Sequence, residues 1–218
     1  MYSVGILAAI RAFYNQKITG VMITASHNEY TDNGVKIIDS TGEMLSPEWE
    51  KYAELLANSN DQQELIDHVD QVLKETNTKL TGNAIVYIAK DTRPTSETLS
   101  KCAIQGCLAM GAKVKDFGLL TTPQLHFMVD YDNTHFTTSH DETPYYKRFS
   151  EAFKHMVNPK NEKFTAIQRV IDCAYGVGGP QMRKMIPYLK GYLDIKLIND
   201  PTSMNNQVIN FYLLINIW

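Results

Sequence analysis

The sequence has few cysteines, no long apolar run and no excess of positive charge. Cys102, Cys107 and Cys173 form neither an even set nor a metal-ligand spacing, which argues against a disulfide framework or a metal centre. It favours packing roles for all three in a reducing, cytoplasmic compartment. No apolar stretch approaches the length of a membrane-spanning helix, and the opening run at residues 4–9 lacks the positive flank of a signal peptide. With 21 Lys and Arg against 24 Asp and Glu, the net charge is -3. There is no basic field for counterion release, so nucleic acid is disfavoured as a partner, whereas a small anionic ligand in a local basic pocket remains compatible. Two catalytic signatures are also missing. No G-x-S-x-G elbow supports a serine hydrolase, and the glycine-rich turn at residues 176–179 lacks the G-x-G-x-x-G spacing of a dinucleotide site.

The 218 residues are 44% hydrophobic, enough for the core of one large domain, or of one and part of another. Helical spacing of Val4, Leu7, Ile10 and Phe13, with Ser3 as a possible N-cap, predicts an opening helix. Ser46-Pro47-Glu48 starts a second helix, and Leu65, Val69, Val72 and Leu73 give a third its apolar face. A strand at residues 84–89, a helix from Ser96 to Met110 and a strand at residues 113–117 then alternate, and Thr122-Pro123 opens another helix. Residues 133–144 are polar and read as a loop or linker, with His135 and His140 carrying no metal role. A helix at residues 145–157, a strand at 168–173, a proline-initiated helix at 180–190 and a strand at 192–199 complete the pattern. From Gln207 the chain is apolar and uncharged, an aggregation-prone tail when exposed. The whole predicts an α/β fold with a mixed β-sheet layered between helices, plus the start of a second similar α/β domain. Its divisions are 1–131, a linker and connecting helix at 132–164, and a partial second domain at 165–218.

Residues 20–39 concentrate the chemistry. The apolar run at 20–24 fits a strand covered on both faces, and Ser26, His27 and Asn28 follow where it ends, the place where reactive groups collect in open α/β sheets. Asp32-Asn33-Gly34 is a turn whose Asn-Gly pair tolerates positive φ, and residues 35–38 return Lys36 towards the serine. A second strand end offers Lys90, Asp91 and Arg93, where the planar guanidinium suits phosphate oxygens and the carboxylate can hold it in place. An internal Asp-Arg clamp is the plainer alternative.

T-A-S-H-N at residues 24–28, D-N-G-V-K at 32–36, K-D-T-R-P at 90–94 and G-L-L-T-T-P-Q-L-H at 118–126 occur in the order found in the α-D-phosphohexomutases, which the chain resembles from Met1 to about Asn206. The resemblance implies an intramolecular phosphotransferase that moves phosphate through a phosphoserine, with a hexosamine phosphate and its bisphosphate as partners. Ser26 is the implied carrier, Lys36 the acid/base, His27 a residue that orients the loop or assists, and Arg93 the stabiliser of transferred charge, while Thr24, Asn28 and Asp91 bind substrate or phosphate. Mg²⁺ is the implied cofactor, held by phosphorylated Ser26 and three closely spaced aspartates. No such aspartate loop occurs in these residues, and the arginine-bearing strand that opens the family has no counterpart before residue 3. The expectation is therefore an N- and C-terminally incomplete chain, inactive alone, or alternatively a non-catalytic family member that acts by binding or assembly.

Overall fold

The computed structural model describes residues 1–25, 28, 29, 31–139, 141–158, 160 and 162–200. The described chain forms two compact units, residues 1–138 and 139 onward. In the first unit, β1 (Ile18–Ile23) pairs antiparallel with β2 (Val35–Ile38) and parallel with β3 (Ile85–Lys90), which pairs parallel with β4 (Lys113–Leu119). The sheet order is β2-β1-β3-β4. All six residues of β1 are buried, as an apolar strand without alternation requires when both faces are covered.

One face carries Val21, Ile23, Ile37, Val86 and Ile88 into a core with α1 (Tyr2–Asn15), α2 (Pro47–Ala57), α3 (Gln62–Thr76) and α4 (Ser96–Ala109). The opposite face meets α5 (Thr122–His135), where the buried hydroxyl of Tyr87 donates to Asp132 at 2.6 Å. This is the mixed sheet between helices that the sequence predicts. The second unit contains α6 (Thr143–Val157), β5 (Ile167–Asp172), α7 (Gly178–Met185), a 3₁₀ turn (Ile186–Leu189) and β6 (Leu193–Ile198), with β5 and β6 parallel. No helix among the described residues is long and apolar enough to cross a membrane.

Several local expectations need correction. The first helix begins at Tyr2 with Met1 as its cap, so Ser3 lies inside it. The helix α5 continues through His135, beyond the loop start expected at residue 133. Asn133 holds that last turn by donating to the carbonyls of Ile18 and Ser40, each at 2.8 Å, and accepting from the amide of Ile18 at 2.9 Å. The second-unit helix starts at Gly178, which places Pro180 within the first turn, where its missing N–H costs nothing. Neither Asn33 nor Gly34 takes a positive φ, because β1 and β2 are joined by a long loop instead of a tight hairpin. Cys107 and Cys173 are buried as expected, with burial pushing the Cys107 thiol up to about 12, but Cys102 is exposed.

Candidate active site

The carboxyl ends of β1, β3 and β4 lie side by side, because the three strands are parallel. The ladder extends past the strands: the amide of Asp91 donates to Ile23 O at 3.1 Å, and that of Leu120 donates to Lys90 O at 3.3 Å. Thr24 and Asp91 therefore emerge as neighbours, at the position where open α/β sheets place their ligands. Thr24 is buried and its hydroxyl donates to Asp91 Oδ2 at 2.9 Å.

Asp91 is the centre of the arrangement. Its Oδ1 accepts from Ser96 Oγ at 2.6 Å and from the backbone N–H of Arg93 at 3.0 Å, while its Oδ2 receives Thr24 and the Arg93 guanidinium. Burial pushes the Asp91 carboxyl up, but the hydrogen bonds from Ser96, Arg93 N–H and Thr24, with the Arg93 charge, outweigh it and hold it below the usual carboxylate range. Arg93 is then anchored at both ends of its fork: Nη1 meets Asp91, and Nη2 donates to the Asn28 carbonyl at 2.7 Å.

The loop between β1 and β2 is stitched internally. Asn28 Nδ2 donates to Asp32 at 2.7 Å, the Asp32 amide donates to Glu29 O at 3.0 Å, and the Thr24 amide donates to Gly34 O at 3.1 Å. The Asn28 side chain is thus used inside the loop. Ser26 and His27 lie outside the described residues. The structure brings together Thr24, Asn28, Asp91 and Arg93 of the residues predicted from sequence.

Lys36 sits on β2, its backbone paired with Met22 in the ladder and its side chain on the α5 face of the sheet, and its ammonium forms no hydrogen bond or ion pair with a described residue. Lys90 does not join Arg93 around Asp91, because its ammonium is drawn to Glu97 at 3.3 Å and Asp116 at 3.6 Å. Among the described residues no group of three or more His, Cys, Asp or Glu side chains is placed to hold a metal ion. Sequence reasoning missed two members of the network. Ser96 was legible only as a helix start, and Asn33, whose Nδ2 donates to Thr95 Oγ1 at 3.0 Å and Ser96 Oγ at 2.9 Å, only as a turn residue.

A family profile described as phosphoglucomutase/phosphomannomutase, alpha/beta/alpha domain I, matches residues 6–64 and 56–156. The chain is 40% identical over 205 residues to phosphoacetylglucosamine mutase of Homo sapiens, covering 92% of this chain and 37% of that protein. A similar identity, 40% over 203 residues, relates it to the Oryza sativa enzyme of the same name, with 89% of this chain and 36% of that protein covered. Among solved structures, an N-acetylglucosamine-phosphate mutase in its product complex superposes with a TM-score of 0.84 at 36% identity, covering 91% of this chain and 38% of the other. The Aspergillus fumigatus N-acetylphosphoglucosamine mutase in complex with GlcNAc-6P and magnesium gives a TM-score of 0.80 at 39% identity, covering 92% of this chain and 38% of the other. The chain spans well under half the length of these relatives.

Proposed function

The chain belongs to the phosphoglucomutase/phosphomannomutase family, the α-D-phosphohexomutases, and from that premise we propose that it supplies the phosphoserine half of a phosphoacetylglucosamine mutase. In this reading the enzyme interconverts N-acetylglucosamine 6-phosphate and 1-phosphate through a bisphosphate, within the synthesis of UDP-N-acetylglucosamine. The observation that carries it is the Thr24-Asp91-Arg93 arrangement, which brackets the loop containing Ser26 with an oriented guanidinium at adjoining strand ends.

Ser26 carries the phosphoryl group. When the P–Oγ bond breaks and a bond from phosphorus to a sugar hydroxyl oxygen forms, that hydroxyl gives up its proton and the serine oxygen takes one; when the turned bisphosphate returns its other phosphate, the serine oxygen loses its proton and the sugar oxygen left behind takes one. Lys36 is the candidate for both transfers, with His27 orienting the loop or assisting. Arg93 offsets charge on the equatorial oxygens of the phosphoryl group. Because both Asp91 oxygens are committed to protein donors, that carboxylate is unsuited to metal binding. From this chain the site offers Mg²⁺ the phosphorylated Ser26 oxygen. Bound there, the ion would neutralise phosphoryl charge.

The test uses a chimera joining residues 1–200 to the flanking segments of the Homo sapiens relative. Incubation with a ³²P-labelled hexosamine bisphosphate should place the label on Ser26, and Ser26→Ala should lose both label and turnover while keeping its circular dichroism. Label mapped to another residue, or turnover that survives the substitution, refutes the role.

A further inference from the structure

Three described residues between Thr24 and Gly34, spread along the sequence of the loop, are tied directly or through one other residue to Asp91. Thr24, at its root, donates directly to the carboxylate. Asn28, just before its middle, is reached through Arg93, which is itself fixed by the same carboxylate. Asn33, at its far end, is reached through Ser96, whose hydroxyl donates to Asp91 and accepts from Asn33 Nδ2. Ser96 is fully buried, at 0% exposure. Its hydroxyl proton and its acceptor lone pair are both used, one on each loop.

We infer that Ser96 and Asn33 are positioning residues: their hydrogen bond locks the Ser26 loop in register with the Arg93 guanidinium. The inference rests on the reading of Ser26 as phosphate carrier. The physical argument is the geometry that phosphoryl transfer demands. The transfer depends almost wholly on placement and charge stabilisation, and a displacement of about 1 Å at the reacting groups can cost roughly a hundredfold in rate. An eleven-residue loop held only by its strands has many conformations of similar energy, and the ties at Asn28 and Asn33 together remove part of that freedom by fixing both to the loop that carries Arg93. A single buried hydroxyl that serves both loops makes any movement of one felt by the other. Because Asn33 lies 63 positions from Ser96 in sequence, the brace also makes the loop's order depend on the whole βαβ unit being folded.

The experiment reads the brace without requiring phosphoryl transfer, so it can fail while Ser26 still carries phosphate, and the labelling experiment can fail while the brace stands. Arg93 and Arg11 have equally covered side chains, 11% exposed each. Arg11 sits on α1, paired to Asp39, and reports opening of the core. The purified 218-residue chain is treated with phenylglyoxal, and modification of the two arginines is followed by mass spectrometry.

In Ser96→Ala and in Asn33→Ala, Arg93 should react at least tenfold faster while Arg11 keeps its rate. The double variant should react more slowly than the product of the two single accelerations predicts, since both substitutions remove the Asn33–Ser96 bond, each together with one bond of its own, to Thr95 or to Asp91. Ser96→Thr, which keeps the hydroxyl, should return Arg93 to within threefold of the parent. Should Ser96→Ala fail to fold, Asn33→Ala alone decides, because Asn33 is a partly exposed loop residue. Equal acceleration at Arg93 and Arg11 would mean loss of general stability only, and no acceleration at Arg93 would mean that the brace holds nothing; either result overturns the inference.

Discussion

Asp91 has no direct part in the proposed transfer, yet it is the residue on which the site's geometry rests. A buried carboxylate is stable only when its oxygens are satisfied, and here Thr24, Ser96, and the backbone and guanidinium of Arg93 satisfy them. Removing it in Asp91→Ala takes this carboxylate from the partly buried Arg93, at a cost below the roughly 3–5 kcal/mol of a fully buried pair broken on one side. Its titration has a definite sign. The native pKa is lowered, so the pair's stabilisation is complete above the ordinary aspartate value, about pH 4. It is lost as pH falls below that value and through the lowered native one. Thermal melts between pH 6 and pH 2 should therefore show a steep acid limb in the parent chain that is shallower in Asp91→Asn. Asp39 contributes a share of the same limb. Burial raises its pKa, and the bonds from Arg11, Ser40 and Asn15 more than reverse that. An acid limb of unchanged slope in the variant would show that Asp91 is not held as described.

At the scale of elements, α1 and α4 cross at two glycines that leave no room for a side chain. A Cβ on Gly5 would lie 1.9 Å from the carbonyl oxygen of Ala103, and one on Gly106 would lie 2.1 Å from that of Tyr2. The two backbones thus touch, and Cys107 Sγ donates to Gly5 O at 3.2 Å across the same contact. Since both obstructing atoms are backbone, neither can step aside without moving a helix. We expect Gly106→Ala to cost about 3 kcal/mol, the upper part of the usual range for overpacking. At roughly 2–4 °C per kcal/mol for a chain of this size, Tm should fall by roughly 6–12 °C by calorimetry; a fall of less than about 2 °C would refute the close crossing. This crossing was not legible in the sequence, whereas the helices that make it were. Apolar spacing located α1 and α3, the capping residue at Thr95 or Ser96 located α4, and the alternation of strands with helices gave a parallel core with one antiparallel neighbour, because those signals are local. What was missed is long-range. Asn133 extends α5 by bonding to Ile18 and Ser40, and Lys90 turns from Asp91 because Glu97 and Asp116 arrive from α4 and β4. In each case a side chain's partner lies on another element, where no periodicity announces it.

At the scale of the whole molecule, the division between the two units follows closely on the end of α5. The first unit closes at Thr138, and just before it Phe136 stands 92% exposed in a left-handed conformation at the C-cap of α5. A large exposed aromatic on a non-helical backbone is the preferred substrate of chymotrypsin, so limited digestion should cut first after Phe136. First cuts inside β3 or α4 would contradict this division. The N-terminal product would retain the described part of the site, Thr24, Asn28, Asn33, Lys36, Asp91, Arg93 and Ser96, and it is expected to turn over no substrate. Phosphoryl transfer derives its rate from charge neutralisation and alignment acting together. The described groups available for charge neutralisation near the serine loop are Arg93 and Lys36. Asp91 is spent on Arg93 and Ser96, and no three-aspartate loop of the kind the family implies occurs anywhere in the sequence. The purified 218-residue chain should accordingly show no interconversion of N-acetylglucosamine 1-phosphate and 6-phosphate above a Ser26→Ala control in a coupled assay with Mg²⁺ and a bisphosphate activator, whereas the chimera with the relative's flanking segments should turn over. If the 218-residue chain exceeds its control, a set of metal ligands or sugar contacts must exist within it that neither the motifs nor the described geometry reveal, and the division of labour proposed for Arg93 and Lys36 would have to be redrawn around those ligands.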